Sequence, residues 1–172
     1  FVVVAAGEID REILQLAYKL YEDLELSRVY YSAFQPVTGT PLEDHPAAPP
    51  MREHRLYQVD FLLRKYGFAF EEITFQRDGN LSLNLDPKMV WALSHPERFP
   101  VEINKASREE LLRVPGIGPK SASRIVKARL KGKLYSPQEL KGMRVLVKRA
   151  APFILINGRT FFESGTNQLL LP

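Results

Sequence analysis

Apolar residues open the chain as one unbroken run, "FVVVAA" at residues 1–6, and then spread out. A continuous apolar run suits a strand buried on both faces, as in a parallel sheet. Behind Asp10, a candidate cap, Ile13, Leu14, Ala17, Leu20, Tyr21 and Leu24 recur at the three-and-four spacing of one helix face. Aromatic and β-branched residues gather again in "SRVYYSAF", Ser27 to Phe34, which predicts a second strand. Strand, helix and strand joined by short links predict a right-handed parallel βαβ unit. One such unit cannot cover both faces of its own sheet. The expectation is therefore a piece of a longer α/β protein whose missing part lies before Phe1.

Residues 35–50, "QPVTGTPLEDHPAAPP", hold five prolines and read as a long loop. "MREHRLYQVDFLLRKYG" predicts a helix stopped by Gly67, with "REHR" (52–55) as its exposed start. From Phe68 to Leu85 the pattern fits either helix or strand, and "RDGN" at 77–80 predicts a turn. Asp86 as cap and Pro87 at the first helical position open another short helix that stops near Pro96, with Trp91 expected in the core.

The pattern sharpens after residue 100. "SREE" at 107–110 and "SPQE" at 136–139 both fit a capping box, in which the serine caps the helix and the glutamate three residues on reaches back. The first opens a short helix carrying Leu111, Leu112 and Val114. "GPKSASRIVKARLKG" predicts the next, with Ala122, Ile125 and Val126 inward and Lys127, Arg129 and Lys131 outward. A short helix from Ser136 and a fourth near "VLVKRAAPF" complete an all-α group, and "NGRTFFESGTNQLLLP" has no clear period.

Charge separates these halves. Residues 1–100 carry 10 Lys/Arg against 15 Asp/Glu, whereas residues 101–160 carry 14 against 4, a net +10. A compact positive field attracts phosphate backbones. The chain has no cysteine, so it offers no disulfide, thiolate metal site or cysteine nucleophile, and no iron–sulfur cluster is held by thiolates of this chain. His45, His54 and His95 share no metal-ligand spacing and are expected to be structural or solvated. No stretch is apolar enough to span a membrane, and the opening run is too short for a signal peptide, so a cytoplasmic location is expected.

Within the basic segment, "VPGIGPK" (114–120) is a tight Gly-x-Gly turn between two helical patterns, the helix-hairpin-helix arrangement. Gly116 and Gly118 leave the backbone bare and are expected in angles barred to other residues. Bare amides and a helix N-terminus can then point at one phosphate. Ile117 is expected to drop between the helices, Pro119 to fit the first turn, and Lys120 and Ser121 to complete the phosphate site. Lys127 extends the positive surface. The stretch "LYSPQELKGMRVLVKRAAPF" reads as a second, degenerate hairpin with Met143, Arg144 and Val145 where glycines would stand. It is expected to pack on the first, with Lys148 and Arg149 as a further DNA contact. Nothing in this pattern reads bases, so the expected partner is duplex DNA bound without sequence preference. The other possibility is a protein-interaction module in which the hairpin is only a turn. Some DNA glycosylases resemble this region, but they need an aspartate in the helices that follow, and no aspartate follows Asp86.

The N-terminal half, with Gly7-Glu8 after the first strand and Pro36 and Gly39-Thr40-Pro41-Leu42-Glu43 in the proline loop, resembles the closing βα units of radical S-adenosylmethionine enzymes. Followed by "REHRLYQVDFLLRKYGF" and a helix-hairpin-helix, the order resembles the radical S-adenosylmethionine DNA modification and repair family linked with uracil-DNA glycosylase. That resemblance implies a partial parallel barrel over residues 1–75, a connecting segment over 76–100, a DNA-binding domain over 101–160 and a tail over 161–172. It implies cofactor contacts at Gly7 and Glu8. Its [4Fe–4S] cluster and S-adenosylmethionine would belong to a full-length parent, since the family's three-cysteine motif is absent here. The parent's catalytic half or a uracil-DNA glycosylase would be protein partners.

Overall fold

The computed structural model of the chain describes residues 2–4 and 7–161. The chain divides into two compact units, Phe1–Trp91 and Ala92–Pro172.

The first unit begins with β1 (Val2–Val4), α1 (Asp10–Leu24) and β2 (Tyr31–Ala33). β1 and β2 pair in parallel with Val2 opposite Tyr31 and Val4 opposite Ala33, so the expected βαβ unit is present. Strand β2 is shorter than the expected 27–34 stretch. Tyr57 occupies its other edge: its hydroxyl takes the Tyr31 amide and donates to the Tyr31 carbonyl, each at 3.1 Å. Glu53 accepts the Ala33 amide at 2.8 Å. Both side chains come from α2 (Pro50–Tyr66), which ends at left-handed Gly67 as the sequence predicts. They occupy the backbone groups that a further strand on this edge would need. Among the described residues this sheet has two strands, and a barrel is not shown.

Helix α1 buries Ile13, Leu14 and Ala17, but Leu24 is exposed, so the predicted stripe stops short. Asp10 is not the cap. It is the first helical residue, it is 1% exposed, and its carboxylate accepts from Arg52 at 2.6 Å and from the Leu81 amide at 2.8 Å. The 77–80 turn forms as predicted around Gly79 (φ +80°), and its Gly79 carbonyl takes the Arg11 amide. The preceding stretch is neither long helix nor strand: only a 3₁₀ turn, Phe70–Glu72, interrupts it.

The "REHR" stretch is not simply exposed. Arg55 is buried, and its guanidinium holds the Ser82 and Leu83 carbonyls at 3.1 and 2.8 Å. Asp60, fully buried, accepts from the Tyr21 hydroxyl and from Arg64. Burial first, then the Asp60 carboxylate, pushes the Tyr21 hydroxyl up to about 12. Trp91 lies in the core against the edge of Phe68, 5.5 Å between ring centres. It sits on α3 (Pro87–Ser94), where the Asp86 carboxylate caps the Met89 amide at 3.1 Å.

The second unit contains α4 (Arg108–Arg113), α5 (Pro119–Arg129), α6 (Pro137–Gly142) and α7 (Val147–Ala150), the last followed by a 3₁₀ turn, Ala151–Phe153. It is not purely helical: β3 (Val101–Glu102) and β4 (Ile154–Leu155) pair in parallel. Two-residue strands carry no period that a sequence pattern can reveal. Glu102 fastens this closure by accepting the Asn104, Asn157 and Gly158 amides at 3.0, 3.2 and 2.7 Å. The core collects Ile103, Leu111, Leu112, Ile125, Leu140 and Ile154, with Phe99 edge-on to Phe153.

Candidate nucleic-acid interface

Both predicted capping boxes form. Ser107 accepts the Glu110 amide at 3.1 Å while Glu110 accepts the Ser107 amide at 2.6 Å, and Ser136 and Glu139 repeat the exchange. These caps fix where α4 and α6 begin. The first turn runs from Val114, at the end of α4, to Gly118, the N-cap of α5. Ile117 is 1% exposed and locks the turn as predicted. Its amide donates to the Val114 carbonyl at 3.1 Å, so its part in the site is to hold the turn's shape.

The two glycines do different things. Gly116 has φ +86°, where a side chain is strained. A methyl group there would also lie 2.6 Å from the Leu146 carbonyl oxygen. Gly118 has φ −101° and ψ 174°, an extended conformation open to any residue. The expectation of barred angles therefore holds at Gly116 and is corrected at Gly118.

Helix α5 starts with Pro119, which has no amide to leave unpaired. Among the described residues, no carbonyl or side chain takes the amides of Gly118, Lys120 or Ser121. These are the unsatisfied donors of a helix start, and they carry its positive end. Ser121 is buried, and its hydroxyl donates to the Arg144 carbonyl at 2.9 Å, so only its amide remains for a ligand. Lys120, Arg124, Lys127 and Lys131 are all exposed and recur at helical spacing. They form a basic stripe that starts at the free amides. Arg124, at i+4 from Lys120, is a member of this stripe beyond those expected from the hairpin pattern, and the helical spacing marks it.

Arg129 departs from expectation. It turns inward and donates to the Ile103 and Ala106 carbonyls at 3.1 and 2.5 Å, fastening the loop before α4. A planar guanidinium can satisfy two carbonyls at once, which the pattern of charges does not announce.

The second hairpin follows the first, but one residue later than the expected Met143–Val145, and its N-cap backbone differs, with ψ 79° at Leu146 against 174° at Gly118. Arg144 (φ +63°) takes the left-handed place of Gly116, buried Val145 the place of Ile117, and Leu146, N-cap of α7, the place of Gly118. The two turns dock on each other: the Leu146 amide donates to the Gly116 carbonyl at 2.9 Å. Packing is thus its first role. Lys148 and Arg149 are exposed on α7, and a methyl group on Gly116 would lie 3.1 Å from the Arg149 Cβ, so Arg149 stands beside the first turn.

In the first unit, Gly7 is exposed at φ +106°, and the Glu8 carbonyl accepts from Arg52 at 2.7 Å. Glu8 and Glu12 border a surface depression of about 280 Å³ lined by Ile13, Leu16, Ala17, Leu20 and Val29. The Gly39–Glu43 loop closes locally, with the Glu43 carboxylate on the Gly39 amide at 2.7 Å. Among the described residues, no group of three acidic, His or Cys side chains could hold a metal ion. His45 packs edge-on to Phe34, and His54 lies 3.2 Å from the Gln58 amide nitrogen. No helix among the described residues is long and apolar enough to cross a membrane.

Neither the curated proteins nor the solved structures give a match to this chain. A protein-family model does match: the helix-hairpin-helix motif, over residues 98–151. The match begins and ends within the second unit and includes both turns, and a motif of this kind points to a nucleic-acid partner.

Proposed function

We propose that the second unit binds the phosphate backbone of DNA without reading its sequence. The observation that carries this reading is the start of α5. Among the described residues the amides of Gly118, Lys120 and Ser121 have no acceptor, and they lie at the head of a basic stripe that begins with exposed Lys120. Amides at a helix start favour an anion, and Lys120 adds charge to the same place. Lys127, Lys148 and Arg149 add positive field without base contacts, which supports duplex binding at any sequence. Lys120 has no buried surroundings that would activate it as a nucleophile, so binding rather than lyase chemistry is the proposal.

The wider reading, in which this unit carries a radical S-adenosylmethionine enzyme to DNA, rests on the sequence resemblance alone. In that reading cysteines outside this chain would hold the cluster, and S-adenosylmethionine would bind there.

Anisotropy titrations of the chain with labelled duplexes of unrelated sequence test the proposal. The expected result is equal affinity for each sequence and a log–log salt slope of about −0.9 per phosphate neutralised. A flat salt response would leave the hairpin as a structural turn and favour a protein-docking role.

A further inference from the structure

The two hairpins share a left-handed residue, Gly116 or Arg144, and a buried plug, Ile117 or Val145, yet they differ at the N-cap that follows. At the first, the N-cap residue is a bare glycine whose amide has no acceptor among the described residues. At the second, the equivalent amide of Leu146 is spent on the Gly116 carbonyl at 2.9 Å. Its side chain, 60% exposed, stands where the first hairpin has no side chain at all. Helix α7 is four residues long, too short to present a substantial dipole. An anion approaching the second turn would meet a consumed donor.

We infer that the domain grips one nucleic-acid strand through the first hairpin, and that the second hairpin, its Leu146 amide spent on the Gly116 carbonyl, holds no phosphate. This rests on the nucleic-acid reading above and deepens it. Two open hairpins would seat phosphates on both strands of a duplex. One open hairpin with the stripe of Lys120, Arg124 and Lys127 follows a single backbone. The ligand class is therefore a single polynucleotide strand, whether free or within a duplex, and the second strand adds little to the contact.

Salt dependence distinguishes the two arrangements. Slopes per neutralised phosphate are about −0.9 for duplex and −0.7 for single strands. If the same phosphates are held in both forms, the single-strand slope is about 0.8 of the duplex slope. If half of them belong to the second strand, the ratio falls to about 0.4. The chain is titrated with one labelled oligonucleotide, single-stranded and annealed to its complement, at several salt concentrations. A ratio near 0.8 is expected, and a ratio near 0.4 would overturn the one-strand grip. Leu146→Ala is exposed and leaves the backbone bond in place, so both slopes should be unchanged. A duplex slope steeper by one phosphate in that variant would mean that the second hairpin can open, and would also overturn it. Absence of binding to either form at low salt would instead remove the nucleic-acid reading itself.

Discussion

The Ser121 hydroxyl donates to the Arg144 carbonyl at 2.9 Å, so a buried serine in the first turn of α5 holds the left-handed residue of the second turn. The bond joins the two hairpins and removes the hydroxyl from the ligand site. Ser121→Ala should lower unfolding free energy by about 1 kcal/mol in denaturant titrations. Its duplex salt slope should stay at the wild-type value. A slope weaker by one phosphate would assign the hydroxyl to DNA.

Gly116 and Gly118 should respond in opposite ways. Gly116→Ala combines left-handed strain with a contact of 2.6 Å to the Leu146 carbonyl, so it should destabilise by roughly 2–3 kcal/mol. Gly118→Val meets no left-handed backbone strain, so it should cost less stability than Gly116→Ala. If phosphate approaches the free amides here, an added side chain stands in its way, and duplex affinity should fall by about tenfold in protein that circular dichroism shows to be folded. Full affinity in folded Gly118→Val protein would shift the site to Lys127, Lys131, Lys148 and Arg149.

Glu102 should make the second unit acid-sensitive. Desolvation works against its charged form, but the Asn104, Gly158 and Asn157 amides, together with Lys105, outweigh it and hold the carboxyl below its ordinary value. A depressed folded-state value stabilises the fold above the unfolded-state value, about 4.3, and that stability is lost as pH falls through the lower folded value. Urea unfolding at neutral pH and near pH 3 should show a smaller acid loss in Glu102→Gln than in the wild type. Equal losses would place the acid sensitivity elsewhere.

Asp10 ties three parts of the first unit together through Arg52, the Leu81 amide and its own place at the start of α1. Asp10→Ala would leave the Arg52 Nε–H and the buried Leu81 amide without their acceptor, while the Arg52 bond to the Glu8 carbonyl would remain. The expected loss is about 3 kcal/mol in denaturant unfolding. A loss under about 1 kcal/mol would mean that water replaces the carboxylate at both donors.

Local chemistry was legible in the sequence wherever it acts over a few residues. The capping boxes at Ser107 and Ser136, the stop at Gly67, Pro119 at the head of α5 and the plug at Ile117 are set by bonds or angles that neighbouring residues supply. The parallel βαβ order and the packing of the second hairpin on the first were also readable. Tertiary structure alone decided which long polar side chains turn inward. Arg129 reaches carbonyls 23 and 26 residues back, Arg55 reaches carbonyls 27 and 28 residues ahead, and Asp60 receives Tyr21 from 39 residues away. A charged residue is buried only when partners arrive to satisfy it, and those partners are set by the fold. The same holds for the difference between the two turns. Gly118 and Leu146 are the N-caps that follow the two turns, and the docking of one turn on the other leaves the first amide free and takes the second.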